Sequence, residues 1–97
     1  MTLAPGVVLP ESEIAAICRR YHVRELALFG SAARGEMRSD SDVDLLVDFL
    51  PDARIGLLEL SAMVREFSQV VGRPVDLAVK LLVRAEVLAE AQTLYAP

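Results

Sequence analysis

Leu28-Phe29-Gly30-Ser31-Ala32-Ala33-Arg34-Gly35-Glu36-Met37-Arg38-Ser39-Asp40-Ser41-Asp42-Val43-Asp44-Leu45-Leu46-Val47-Asp48-Phe49 is the run around which the chain is organised. An apolar, strand-like run (Leu26 to Phe29) passes straight into Gly30-Ser31. Ten residues further on, Asp42-Val43-Asp44 opens a second apolar run, Leu45 to Val47. Along a strand, side chains two apart share a face, with Cα atoms ~6.5 Å apart, so Asp42 and Asp44 aim two carboxylates at one point. Like charges at the head of an apolar strand are costly unless a cation lies between them. A hard divalent ion such as Mg²⁺ suits that place, because it takes oxygen ligands and keeps phosphate oxygens in its shell. Across the turn, Gly30 has no Cβ and lets a phosphate chain approach the backbone. Ser31 offers a hydroxyl and opens a short helix whose free N–H groups favour anions. One side for phosphate and one for metal is the equipment of phosphoryl or nucleotidyl transfer.

Two other patterns fail on the same residues. Asp40, Asp42 and Asp44 have the one-three-five spacing of a calcium loop, but Leu45 replaces its glycine and Pro51 its closing glutamate. The segment Gly30 to Ser39 has neither the Gly-Lys-Ser/Thr ending of a P-loop nor the three glycines of a dinucleotide fold. What stands is Gly-Ser, ten residues, Asp-x-Asp, flanked as Phe29-Gly30-Ser31-x-Ala33-Arg34-Gly35 and Ser41-Asp42-x-Asp44-Leu45-Leu46-Val47. In these residues the chain resembles the minimal nucleotidyltransferases of the DNA polymerase β superfamily, whose pattern adds a third carboxylate on a later strand. The plain structural alternative is a capped turn with solvated aspartates between two strands.

Length and composition set the frame. Ninety-seven residues suit one domain spanning 1–97, able to bury roughly 60–65% of its unfolded surface. The apolar fraction is 54%, with two Tyr, three Phe and no Trp, so an aliphatic core is expected. The net charge is −4 and no basic, aromatic-interleaved stripe occurs, which argues against gripping a long nucleic acid. A lone Cys18 excludes an internal disulfide and fits a reducing compartment. No apolar run approaches the ~20 residues of a membrane span, so a cytoplasmic protein is expected.

Residues 1–10 read as a loosely held lead-in. Ile14, Ile17, Cys18 and Tyr21 form a helical stripe from Glu11 to Tyr21, with Glu11 and Glu13 suiting the helix N-terminus. Cys18 on that stripe reads as a packed thiol, and His22 as an ordinary helix-end residue. Val23 to Phe29 is the first expected strand, Ser31 to Gly35 a helical turn, Glu36 to Ser41 a polar loop and Asp42 to Phe49 the second strand. A long helix follows, with Leu57, Leu60, Val64, Phe67 and Val71 on one face, ended by Gly72 and Pro74. Val75 to Val79 is the third strand, and Val83 to Tyr95 reads as a closing helix with Val83, Val87, Leu88, Ala91 and Tyr95 inward. This order gives an α/β domain, a small mixed three-stranded sheet with helices packed on it. The short link pairs the first two strands antiparallel, and the helical crossover sets the third parallel to the second. The resemblance implies the polymerase β-like nucleotidyltransferase fold.

Alone in its strand, Asp76 would read as a turn or capping residue. Parallel pairing would bring it beside Asp42 and Asp44, and the resemblance places the family's third metal-site acid in such a Val-Asp-Leu strand. The resemblance then implies attack of an acceptor hydroxyl on the α-phosphorus of ATP with release of pyrophosphate, assisted by two Mg²⁺ ions. Asp42, Asp44 and Asp76 are the implied metal-holding and catalytic residues, with Asp76 also able to accept the acceptor's proton. Gly30 and Ser31 are the implied phosphate cradle. Arg34 is open between a phosphate contact and a surface ion pair with Glu36 or Asp40. Arg38 reads as a solvated loop residue, and Asp48 shares the face of Asp44 but stands too far along the strand to join it.

The chain has no segment recognisable as an acceptor-binding domain, so the acceptor is expected on another protein or in a small molecule. The family it resembles is typically paired with a helical HEPN protein in toxin–antitoxin modules, where the nucleotidyltransferase is the antitoxin. That resemblance implies transfer of AMP to a hydroxyl, a tyrosine, of a HEPN ribonuclease toxin. Two alternatives belong to other classes: an antitoxin that only masks its toxin, and a transferase acting on an antibiotic-type small molecule.

Overall fold

A computed structural model describes residues 2–4, 7–35, 42–80 and 92–96. The first two strands, β1 (Thr2–Ala4) and β2 (Val7–Val8), pair antiparallel with each other. Helix α1 (Glu11–Arg20) is followed by β3 (Val23–Phe29), the short α2 (Gly30–Arg34) and β4 (Val43–Phe49). Then come α3 (Leu57–Val71), β5 (Val75–Val79) and β6 (Gln92–Tyr95). The main sheet runs β5-β4-β3-β6, with β3 antiparallel to β4 and to β6, and β4 parallel to β5. The described residues include no helix long and apolar enough to cross a membrane.

Strand alternation divides this sheet into two faces. Val43, Leu45 and Val47 of β4, with Val23, Leu26 and Leu28 of β3, enter the core beneath the two long helices. Ile14, Ile17 and Cys18 of α1 and Met63, Phe67 and Val71 of α3 meet them there. Leu9, within the expected lead-in, is buried in the same core. Across the top of the two helices, Glu66 accepts hydrogen bonds from both Arg20 and the Tyr21 hydroxyl. The Glu66 carboxyl is held below its usual range chiefly by the Tyr21 hydroxyl, while the same bond raises Tyr21. Burial pushes the Cys18 thiol up to about 12.

Three expectations need correction or limits. The expected three-stranded sheet has a fourth strand, because Gln92 to Tyr95 do not continue a helix but pair along β3. Residues 83–91 of that expected helix, and the polar loop 36–41, lie outside the described residues. On α3 the buried stripe is Met63, Phe67 and Val71, whereas Leu57 is 83% exposed and Val64 is only half-buried. Apolar residues occupy adjacent stripes of this helix, so periodicity alone leaves its rotational phase open by one residue.

The register between β4 and β5 is set where α3 ends. Gly72, at φ +77°, turns the chain in the left-handed region, and its N–H bonds the Ser68 carbonyl at 2.9 Å. Ser68 Oγ then accepts from the Val75 N–H at 3.1 Å, and the Val43 N–H donates to the Pro74 carbonyl at 2.9 Å. These bonds align Val43 with Val75, and every later pair follows.

Candidate active site

The register places Asp44 directly beside Asp76 on neighbouring parallel strands, with Phe29 facing Asp44 from the other side. By alternation both carboxylates leave the sheet on the face opposite the core helices. Asp42 precedes β4 on the same parity and is exposed, as is Asp76, while Asp44 is half-buried. Asp44 and Asp76 therefore meet at one end of the sheet from positions 32 residues apart in the chain (76 − 44), with Asp42 just ahead of β4.

Gly30 completes this corner. The chain leaves β3 at Gly30 with φ +64°, a conformation that a side chain disfavours. A Cβ there would collide with the Asp44 carboxylate and lie 3.3 Å from its Cγ. The missing side chain thus leaves the room that Asp44 fills, a reason for glycine beyond phosphate approach and the positive φ. Ser31 is half-buried at the start of α2, Ala33 anchors that helix in the core, and Arg34 is exposed at its end.

The Asp44 carboxyl is raised above its usual value first by burial, then by the charges of Asp76 and Asp42. Arg34 pulls it back down, so its guanidinium is within electrostatic reach of the acids whichever other group it touches. Asp48 is half-buried and pairs in register with Glu25, four positions further along β4, away from this corner. Arg38 and Asp40 lie outside the described residues.

Oxygen-only carboxylate donors, one of them destabilised by its like-charged neighbours, match the chemistry of a hard divalent cation such as Mg²⁺. Among the described residues, no three His, Cys, Asp or Glu side chains form a ready-made metal-holding group.

The Gln92 side-chain amide, at the start of β6, donates to the Ala33 carbonyl at 2.6 Å. Periodicity predicts Gln92 in a helix, whereas the β-favouring Thr93-Leu94-Tyr95 that follows points to a strand.

The sequence profile of the nucleotidyltransferase domain family matches residues 11–93. The chain is 43% identical over 61 residues to the protein adenylyltransferase MntA of Thermococcus cleftensis, covering 63% of this chain and 60% of that protein. The matched stretch thus spans about 60% of that curated relative's length. A crystal structure of a toxin–antitoxin with AMP-PNP superposes with a TM-score of 0.75 at 19% identity, over 92% of this chain and 75% of that one. A tri-AMPylated HEPN toxin of Shewanella oneidensis in complex with MNT antitoxin gives 0.65 at 16% identity, over 90% and 70%. At these identities the two structures show the shared fold.

Proposed function

The chain belongs to the nucleotidyltransferase domain family, and from that premise we propose that it is an adenylyltransferase antitoxin, moving AMP from ATP to a hydroxyl of a HEPN-type toxin, a tyrosine in our reading. The observation that carries the proposal is the alignment of Asp44 with Asp76, beside the turn at which Gly30 leads into α2. The name of the Thermococcus relative supports AMP transfer to protein. The HEPN partner is our extension from the Shewanella complex, whose likeness to this chain is one of fold.

In this reading Asp42, Asp44 and Asp76 would hold Mg²⁺, which supplies charge neutralisation on the transferring phosphates and activation of the acceptor. Gly30 and Ser31 cradle the triphosphate, with the Ser31 hydroxyl and N–H hydrogen-bonding its terminal phosphates. Arg34 adds positive charge on that side. The acceptor oxygen forms a bond to the α-phosphorus, the bond to the β-phosphate oxygen breaks, and pyrophosphate leaves. The acceptor's proton passes to the Asp76 carboxylate. Docking of the partner supplies the orientation, which makes the step effectively unimolecular.

The test is intact mass spectrometry of the purified pair after incubation with ATP and Mg²⁺. AMP increments on the partner, absent with Asp76→Asn, are expected. Full neutralisation with no mass change would replace transfer by masking.

A further inference from the structure

We propose that Gln92 is a positioning residue of the nucleotide site: its amide pins helix α2, and with it Ser31 and Arg34, against the sheet. The inference rests on the assignment of Ser31 to the triphosphate made above.

Helix α2 is five residues long, a single turn that cannot sustain itself, because nucleating a turn orders several residues for about one hydrogen bond. The carbonyls of its last turn lack intrahelical partners. Ala33 is one of these, and its carbonyl receives the Gln92 Nε2 at 2.6 Å. Since a carbonyl only accepts, the amide must present its NH₂ end, so the bond fixes which way Gln92 is turned. Gln92 is also the first residue of β6, in register with Leu28, two residues before Gly30. The edge strand therefore holds the end of β3 through its ladder and α2 through a side chain, joining segments 59 residues apart.

Helix α2 carries the groups that would meet a triphosphate. Its buried Ala33 fixes one side, and Ser31 and Arg34 lie on the same short turn as Gly30, whose missing side chain leaves room for the Asp44 carboxylate. Gln92 itself is exposed, so its contribution is a located hydrogen bond and not core packing. Losing it should loosen α2 while leaving the two long helices as they are.

The experiment compares wild type with Gln92→Met, which keeps the length and removes the donor, and Gln92→Lys, which keeps a donor of similar reach. In Gln92→Met, amide exchange across Gly30–Arg34 is expected to rise about fivefold, the factor a net hydrogen bond carries. Exchange in α1 and α3 should stay as in wild type. By calorimetry the Kd for Mg-ATP should rise by a comparable factor, and KM for ATP should rise while kcat changes little. Gln92→Lys should return exchange toward wild type. Unchanged α2 exchange in Gln92→Met, or an increase spread equally over α1 and α3, would overturn the positioning role and leave the nucleotide reading standing. A loosened α2 with unchanged Mg-ATP affinity would overturn it too. A wild-type chain that binds no Mg-ATP would overturn the nucleotide reading and this inference with it.

Discussion

The carboxylate of Asp44 occupies the space in which a side chain on Gly30 would have to begin. Two constraints therefore act at position 30, a left-handed backbone at φ +64° and a neighbouring carboxylate that would have to shift. Gly30→Ala is expected to cost at least about 2 kcal/mol of folding stability, summing conformational strain and overpacking. Adding Asp44→Ala should recover the overpacking part and leave about 1 kcal/mol of strain. Denaturant unfolding of the two single variants and the double reads this coupling directly. Additive effects would mean that Asp44 and Gly30 do not share the space.

Asp44 also predicts a pH dependence. Its folded carboxyl is raised from 3.8, so the folded state holds that proton more tightly than the unfolded chain does. For such a group the stabilisation is present below the unfolded value and disappears as pH climbs through the raised folded value. In chelator, at neutral pH, Asp44→Asn should melt above wild type, and the gap should close as pH falls toward the ordinary carboxylate range. Glu66 shifts the opposite way and is common to both proteins, so the difference isolates Asp44. In the proposed reaction the same variant should lose AMP transfer. A neutral-pH melting point below wild type would contradict the like-charge account.

Cys18 is fully buried and its thiol is pushed up to about 12, so almost no thiolate exists in the native protein. A disulfide-exchange reagent should therefore label it only as fast as the chain unfolds, with rapid labelling in denaturant. Cys18→Ser should lower stability by about 1–3 kcal/mol, since the hydroxyl would be buried without its water. Fast native labelling would show that the α1 stripe is not packed as described.

The phase of α3 can be checked by contrast. Phe67 is fully buried and Leu57 is 83% exposed. Phe67→Ala should cost about 3–5 kcal/mol, whereas Leu57→Ser should stay within about 0.5 kcal/mol of wild type. Similar losses from the two would restore the stripe that begins at Leu57.

Much of the site was legible because its chemistry is local. Gly30-Ser31 and Asp42-x-Asp44 stand close in sequence, and strand parity alone puts the two aspartates on one face. The apolar runs at Leu26–Phe29 and Leu45–Val47, with a helix pattern between Leu57 and Val71, were enough for an α/β arrangement with its strand directions. Legibility faltered where one pattern served two structures. Val83, Val87, Leu88, Ala91 and Tyr95 match a helical stripe, yet Gln92–Tyr95 belong to a strand. The open edge of β3 has backbone donors and acceptors to satisfy, and β6 supplies a partner for them from more than sixty residues away in the chain.

By itself, then, the sequence determined which residues carry charge, which turn requires a glycine and which segments are apolar enough to be buried, because those properties follow from side chains and their nearest neighbours. Parallel pairing already pointed to Asp76 beside Asp44, but that Gly30 makes way for a carboxylate, and that Gln92 reaches Ala33, came from the tertiary structure. Each of these depends on register between segments distant in the chain, and register is set by the packing of a whole sheet against its helices, which no local pattern contains.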